Sequence, residues 1–225
     1  MVTLTILTFL IGALADYVII QRKRKSGAVV NEAAPTATDV PIQDDSSPAY
    51  VEGFLVLEGL RYHPGHTWVR REQLNMARVG VDEFGAKLAG HVDTIELPKP
   101  GQWFRQGQTV FTLRRNGETA TLLCPIEGKV AAVNPEVANN PSLLRSDPYG
   151  KGWLMTLRCD GISAWHNLLP VSLVKKWLEE DVSRLYKTQM AVGAVATDRG
   201  RLGDDLLASK TGADWSRITA EFFLP

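Results

Sequence analysis

Cysteine is scarce in this chain of 225 residues: only Cys124 and Cys159 occur, too few for a disulfide framework. Histidine is equally thin. The four His residues are scattered, and no CxxC or HExxH spacing brings two metal ligands together. The chain also lacks a dominant charge. Its 25 basic residues balance 25 acidic ones, so there is no electrostatic footprint for nucleic acid. No GxGxxG, Walker-type or GxSxG stretch is present, and Gly80, Gly85, Gly90 and Gly101 fall in turns rather than in a phosphate cradle. The carboxylate pairs Asp44–Asp45, Glu179–Glu180 and Asp204–Asp205 read as solvated charge in a linker or on helix faces. These absences leave no catalytic constellation, no metal, no cofactor and no small-molecule substrate to predict. Both cysteines are expected as small core residues.

What is present begins with an apolar run. Residues 1–20, MVTLTILTFLIGALADYVII, carry a single charge, Asp16, and are followed at once by Arg22, Lys23, Arg24 and Lys25. About 20 residues at 1.5 Å each span roughly 30 Å, the thickness of the hydrocarbon core. The positive charge follows the apolar run, the reverse of a signal peptide. The expectation is a single-pass anchor over residues 1–21, in contact with membrane lipid through 1–20. The N-terminus then faces out and the remainder lies on the cytoplasmic side of a bacterial inner membrane. Asp16 either reaches the headgroups about one turn away or faces another protein helix.

Residues 22–52 read as the basic stop and a flexible linker rich in Ala, Pro, Ser, Thr and Asp. From 53 to 170 short apolar runs alternate with Gly and Pro punctuation, the pattern of a small barrel or sandwich. Asp82–Ala89 is the one helical turn expected among them. From 171 to 225 the period changes. Val174, Trp177, Leu178, Val182, Leu185 and Tyr186 recur at helical spacing, and a final short helix is expected to be capped by Asp214. Trp177 and Tyr186 are read as internal packing. Trp215, Phe222 and Phe223 fit either a core or an interface.

Three ordered motif blocks in the β-rich part carry a resemblance. They are RYHPGHTWVRRE (61–72), VGVDEFGAKLAGHVDTIELPKPG (79–101) and NPSLLRSDPYGKGWLMTLR (140–158). Together they resemble the glycine cleavage system H protein, a family of lipoyl carriers, over roughly residues 55–170. The resemblance implies a mainly β, hybrid barrel-sandwich domain, here between an N-terminal transmembrane helix and a C-terminal helical extension. Each block also has a reading of its own. Pro98 and Gly101 end a strand, Asp147–Gly150 is a turn in which Gly is free to take positive φ, and Trp68 and Trp153 are core-sized. His66 lacks a nucleophile beside it and is expected to hydrogen-bond within the core.

The family's chemistry rests on one lysine at a hairpin tip, acylated by lipoate, at a fixed distance before a Ser-Pro-x-x-Gly segment. Cys124-Pro125-Ile126-Glu127-Gly128 stands for that segment, and eight residues before Pro125 is Gly117. No lysine lies anywhere from 100 to 128. Asn116-Gly117 is instead the preferred pair for a type I′ turn. The expectation is therefore a non-enzymatic, non-lipoylated accessory subunit of a membrane complex, with a respiratory or photosynthetic electron-transfer complex as host. A carrier of glycine-cleavage or sulfur-transfer type, using Lys129 or Cys124 for attachment, is the first alternative. A regulatory module docking through Arg114 and Arg115 is the second, set against a merely solvated tip.

Overall fold

The computed structural model describes residues 48–73, 75–159, 165, 167–191, 203, 205–210 and 212–225. The anchor expected over 1–21, Asp16 within it, Asp44–Asp45 and most of the linker lie outside these residues. Among the described residues no helix is long and apolar enough to cross a membrane.

Eleven strands and five helices are described. Strand β1 (Pro48–Val51) pairs antiparallel with β2 (Phe54–Leu57), so residues 48–51, read as the end of the linker, form a strand. The main sheet has the order β3 (Arg61–His63), β4 (Thr67–Gln73), β5 (Met76–Val81), β11 (Met155–Arg158), β10 (Gly128–Val133) and β7 (Trp103–Phe104). A smaller sheet joins β6 (Thr94–Glu96), β8 (Thr109–Arg115) and β9 (Glu118–Leu123). The period-2 pattern explains these elements. In β8 the buried residues are Phe111, Leu113 and Arg115, and in β9 they are Ala120 and Leu122. Helix α1 (Glu83–Ala89) starts where Asp82 caps it, its side chain accepting from the Gly85 amide at 2.7 Å.

Helices α2 (Pro135–Asn139) and α3 (Leu143–Ser146) cover the turn into β11. Asn134 caps α2 and also donates to the Lys151 and Trp153 carbonyls, both at 2.7 Å. It is 2% exposed, so Asn134→Ala strands two carbonyls and an amide at once. We expect a loss of about 2 kcal/mol, read as a lower urea midpoint at unchanged slope. At Asp147–Gly150 the expected turn forms, but Gly150 does not need positive φ. A Cβ there would come within 2.5 Å of the Asp147 carboxylate, which accepts from the Gly150 and Lys151 amides. Trp68 is fully buried, whereas Trp153 is only half-buried, with the Arg78 guanidinium 5.0 Å over its ring.

The C-terminal part builds α4 (Val171–Ala191) and α5 (Ala213–Phe223). Asp214 does not cap α5. Gly212, at φ +59, holds the cap position without a side-chain bond, and Asp214 sits in the first turn against Arg217 at 3.3 Å. Trp215, Phe222 and Phe223 are at most 1% exposed. These three therefore belong to the core and present no surface to a partner. The architecture is mainly β, with a six-stranded and a three-stranded sheet followed by the helical C-terminal part.

Candidate functional site

The hairpin of β8 and β9 is the place to look for chemistry, because its tip is where a carrier arm would project. Arg115 pairs with Glu118, leaving Asn116 and Gly117 as a two-residue loop. Their φ angles are +51 and +85, the left-handed pair that a type I′ turn requires. Asn116 is further held by its amide, which donates to Asp93 Oδ2 at 2.7 Å. A Cβ built on Gly117 would meet nothing within 4 Å. The tip is open, well formed, and without a side chain that an acyl group could join.

The two arginines before the turn behave differently from a free tip. Arg114 is half-exposed and pairs with Glu96 at 2.7 Å across the β6–β8 ladder. Arg115 is buried. It donates to the Ala89 carbonyl at 3.1 Å and pairs with Asp205 at 3.0 Å, with its guanidinium 5.9 Å from the Trp215 ring. Trp215 Nε1 donates to the same Ala89 carbonyl at 3.1 Å. Ser216 Oγ donates to Glu118 Oε2 at 2.8 Å. Residues 205–210 and 212–216 thus extend the core over the tip half of the hairpin's buried face. Arg115 is neither a docking residue nor solvated charge, and Asp205 is the counter-ion of a nearly buried pair rather than part of a solvated cluster.

The expected alternatives for attachment also find their places. Cys124 is fully buried, and burial pushes its thiol up to about 12, which removes the thiolate that acylation needs. Lys129 is exposed, but it lies on β10 opposite Trp103, beyond the base of the hairpin. Strand β8 alone puts roughly 20 Å between that base and the tip.

A second constellation was not assembled by sequence reasoning. His66, fully buried at φ +58, contacts Asp82 Oδ2 through Nδ1 at 3.0 Å. Through Nε2 it faces Asp181 Oδ2 of α4 at 3.3 Å, an ion-pair contact without hydrogen-bond alignment. Its ring is stacked between Phe84 at 4.4 Å and Trp177 at 4.7 Å. Arg184 shares Asp181 at 2.5 Å and lies 4.4 Å over Phe222. Burial alone lowers the imidazole's affinity for a proton, but Asp82 and Asp181 outweigh it and raise the pKa to about 9. Among the described residues its contacts are carboxylates and aromatic rings, with no nucleophile, and the imidazole is fully buried. It is a charged rivet joining the β4 entrance, the α1 cap and the helices α4 and α5. His66, expected to hydrogen-bond in the core, does so; what spacing alone could not supply was Asp181, more than a hundred residues away.

With this geometry in place, the similarities to known proteins can be set beside it. A family model described as glycine cleavage H-protein matches residues 60–181. A glycine cleavage system H protein of Coprothermobacter proteolyticus is 31% identical over 125 residues, covering 56% of this chain and 98% of that protein. One from Mycobacterium bovis is 36% identical over 101 residues, covering 45% of this chain and 75% of that protein. A crystal structure of a glycine cleavage system H protein from Mycobacterium marinum aligns with a TM-score of 0.49 at 21% identity. It covers 56% of this chain and 99% of that one.

Proposed function

The chain belongs to the glycine cleavage H-protein family, and from that premise we propose that it serves a group-transfer system of glycine-cleavage type without carrying a lipoyl group at the hairpin tip. The family supplies carriers rather than catalysts, so the protein's part is to dock within such a system, not to turn over substrate. The observation that carries the reading is Gly117. It occupies the tip at φ +85, with no lysine from 100 to 128 to replace it. The relatives named above favour a group-transfer setting over the respiratory or photosynthetic complex that the apolar N-terminus first suggests. The membrane tether remains part of the proposal on the strength of residues 1–20 and the basic cluster after them. A regulatory module docking through tip arginines is the weaker reading, because Arg115 is spent inside the fold and Arg114 on Glu96.

Intact mass spectrometry of the protein extracted from its native membranes tests the central point. The expected mass is that of the unmodified polypeptide. A stoichiometric lipoyl increment would falsify the reading, and peptide mapping would then show whether Lys129 or another residue carries it.

A further inference from the structure

The open edge of the main sheet carries a feature that the hairpin does not explain. Strand β7 ends the six-stranded order, and its Trp103 is 51% exposed. In the ladder Trp103 lies opposite Lys129, and Lys129 lies opposite Arg158. Residues directly opposite in an antiparallel pair project to the same face. An indole, an ammonium and a guanidinium therefore form one exposed row across three strands. Arg105, two residues beyond Trp103, is exposed next to the row, and Lys99 is exposed at the turn leading into β7. Glu127, two residues before Lys129, is the acidic neighbour on the same edge.

Four arginines elsewhere are matched. Arg78 pairs with Glu72, Arg114 with Glu96, Arg115 with Asp205 and Arg184 with Asp181. Among the described residues, Lys99, Arg105, Lys129 and Arg158 form no ion pair. An unmatched basic row around an exposed tryptophan is what an anionic surface complements.

We propose that this edge seats on the anionic headgroups of a lipid bilayer. The proposal rests on the reading of residues 1–20 as an anchor. Given that anchor, only 26 residues of sequence (22–47) separate it from β1, so adsorption is a nearly intramolecular event. An amphipathic indole suits the headgroup level, and four cations less the one acid, a net three charges, together weigh about a hundredfold toward an anionic surface. An acidic protein would satisfy the charges, but the tether and the aromatic favour the bilayer.

The test uses the full-length protein in nanodiscs of phosphatidylcholine alone, or mixed with phosphatidylglycerol, with amide hydrogen exchange as the readout. Edge strand β7 leaves outward amides without a strand partner, so shielding registers there directly. Exchange at residues 103–105 and 128–130 is expected to slow about tenfold on the anionic discs, and to recover at high salt. The double variant Lys129→Glu, Arg158→Glu, which alters only exposed side chains, is expected to abolish the slowing. Equal exchange on both discs overturns the surface while leaving the anchor intact. Failure of the chain to enter discs of either kind overturns the anchor and the surface together. Protection in native membranes but on neither disc assigns the row to a protein partner and overturns the lipid.

Discussion

Gly117→Lys is expected to turn an inert hairpin into a substrate for a lipoate ligase, from no transfer to a stoichiometric lipoyl adduct seen by intact mass. The tip is a two-residue loop, a Cβ at position 117 has open space around it, and the flanking strands are in register up to Arg115 and Glu118. The cost is the positive φ of +85, about 1 kcal/mol for a residue with a side chain, which a domain of this size absorbs. What the variant restores is a long, exposed amine at the place where the family carries its own. A folded Gly117→Lys protein that stays unmodified would mean that Asp205, Trp215 and Ser216, packed over the tip half of the hairpin, deny the ligase its footing. A further variant separates these outcomes. Ser216→Ala removes the bond to Glu118 at a cost of about 1 kcal/mol, and should raise the yield if that cover is the obstacle.

Stability is expected to peak near pH 6.5 and to fall on both sides, because two neighbouring histidines are shifted in opposite directions. His66 has its pKa raised to about 9, so its contribution is complete below the unfolded value and is lost as pH climbs through 9. His63 is the reverse. Burial, and then the charge on His66, lower it to about 4, and its Nδ1 accepts from the Gly65 amide as a neutral ring must. Its contribution is complete above 6.5 and disappears as pH falls toward 4. Each limb is worth about 3 kcal/mol on the linkage relation, a large share of a domain's total stability. Urea midpoints from pH 4 to pH 10 would trace the dome. Asp181→Asn should bring the alkaline limb to lower pH, since one of the two carboxylates holding the proton is gone. A flat profile between pH 7 and pH 9 would remove the charged rivet from the account.

The β framework was legible because it follows from alternation and punctuation. Phe111, Leu113, Ala120 and Leu122 mark one face at period 2, and Asn116–Gly117 marks the turn between them. The absence of chemistry at the tip was legible for the same reason, since the register fixes which residue stands there. The role of Arg115 was not, although the sequence held a hint: it continues the buried positions 111 and 113 at the same period. A charged residue at such a position demands a partner, and Asp205, 90 positions away, is invisible to local pattern. Asp181 was hidden likewise, as one carboxylate of a helix whose other acids, such as Glu180, face solvent. Trp215, Phe222 and Phe223 were ambiguous because an apolar helix face reads the same whether it closes a core or meets a partner.

The contacts that finish the hairpin also set a clock for the growing chain. Glu118 meets Ser216 across 98 positions, and Ala89 meets Trp215 across 126. At a synthesis rate of roughly 5–20 residues per second, the tip half of the hairpin waits about 5–20 s between its own emergence and that of its cover. During that interval the buried side of Arg115 and its neighbours is open to other chains, and closure then depends on contacts of long sequence separation, the slowest kind to form. The cover over the β8–β9 hairpin is thus a late step in biogenesis, and slowing translation between residues 118 and 205 should lengthen exposure to chaperones without changing the final fold.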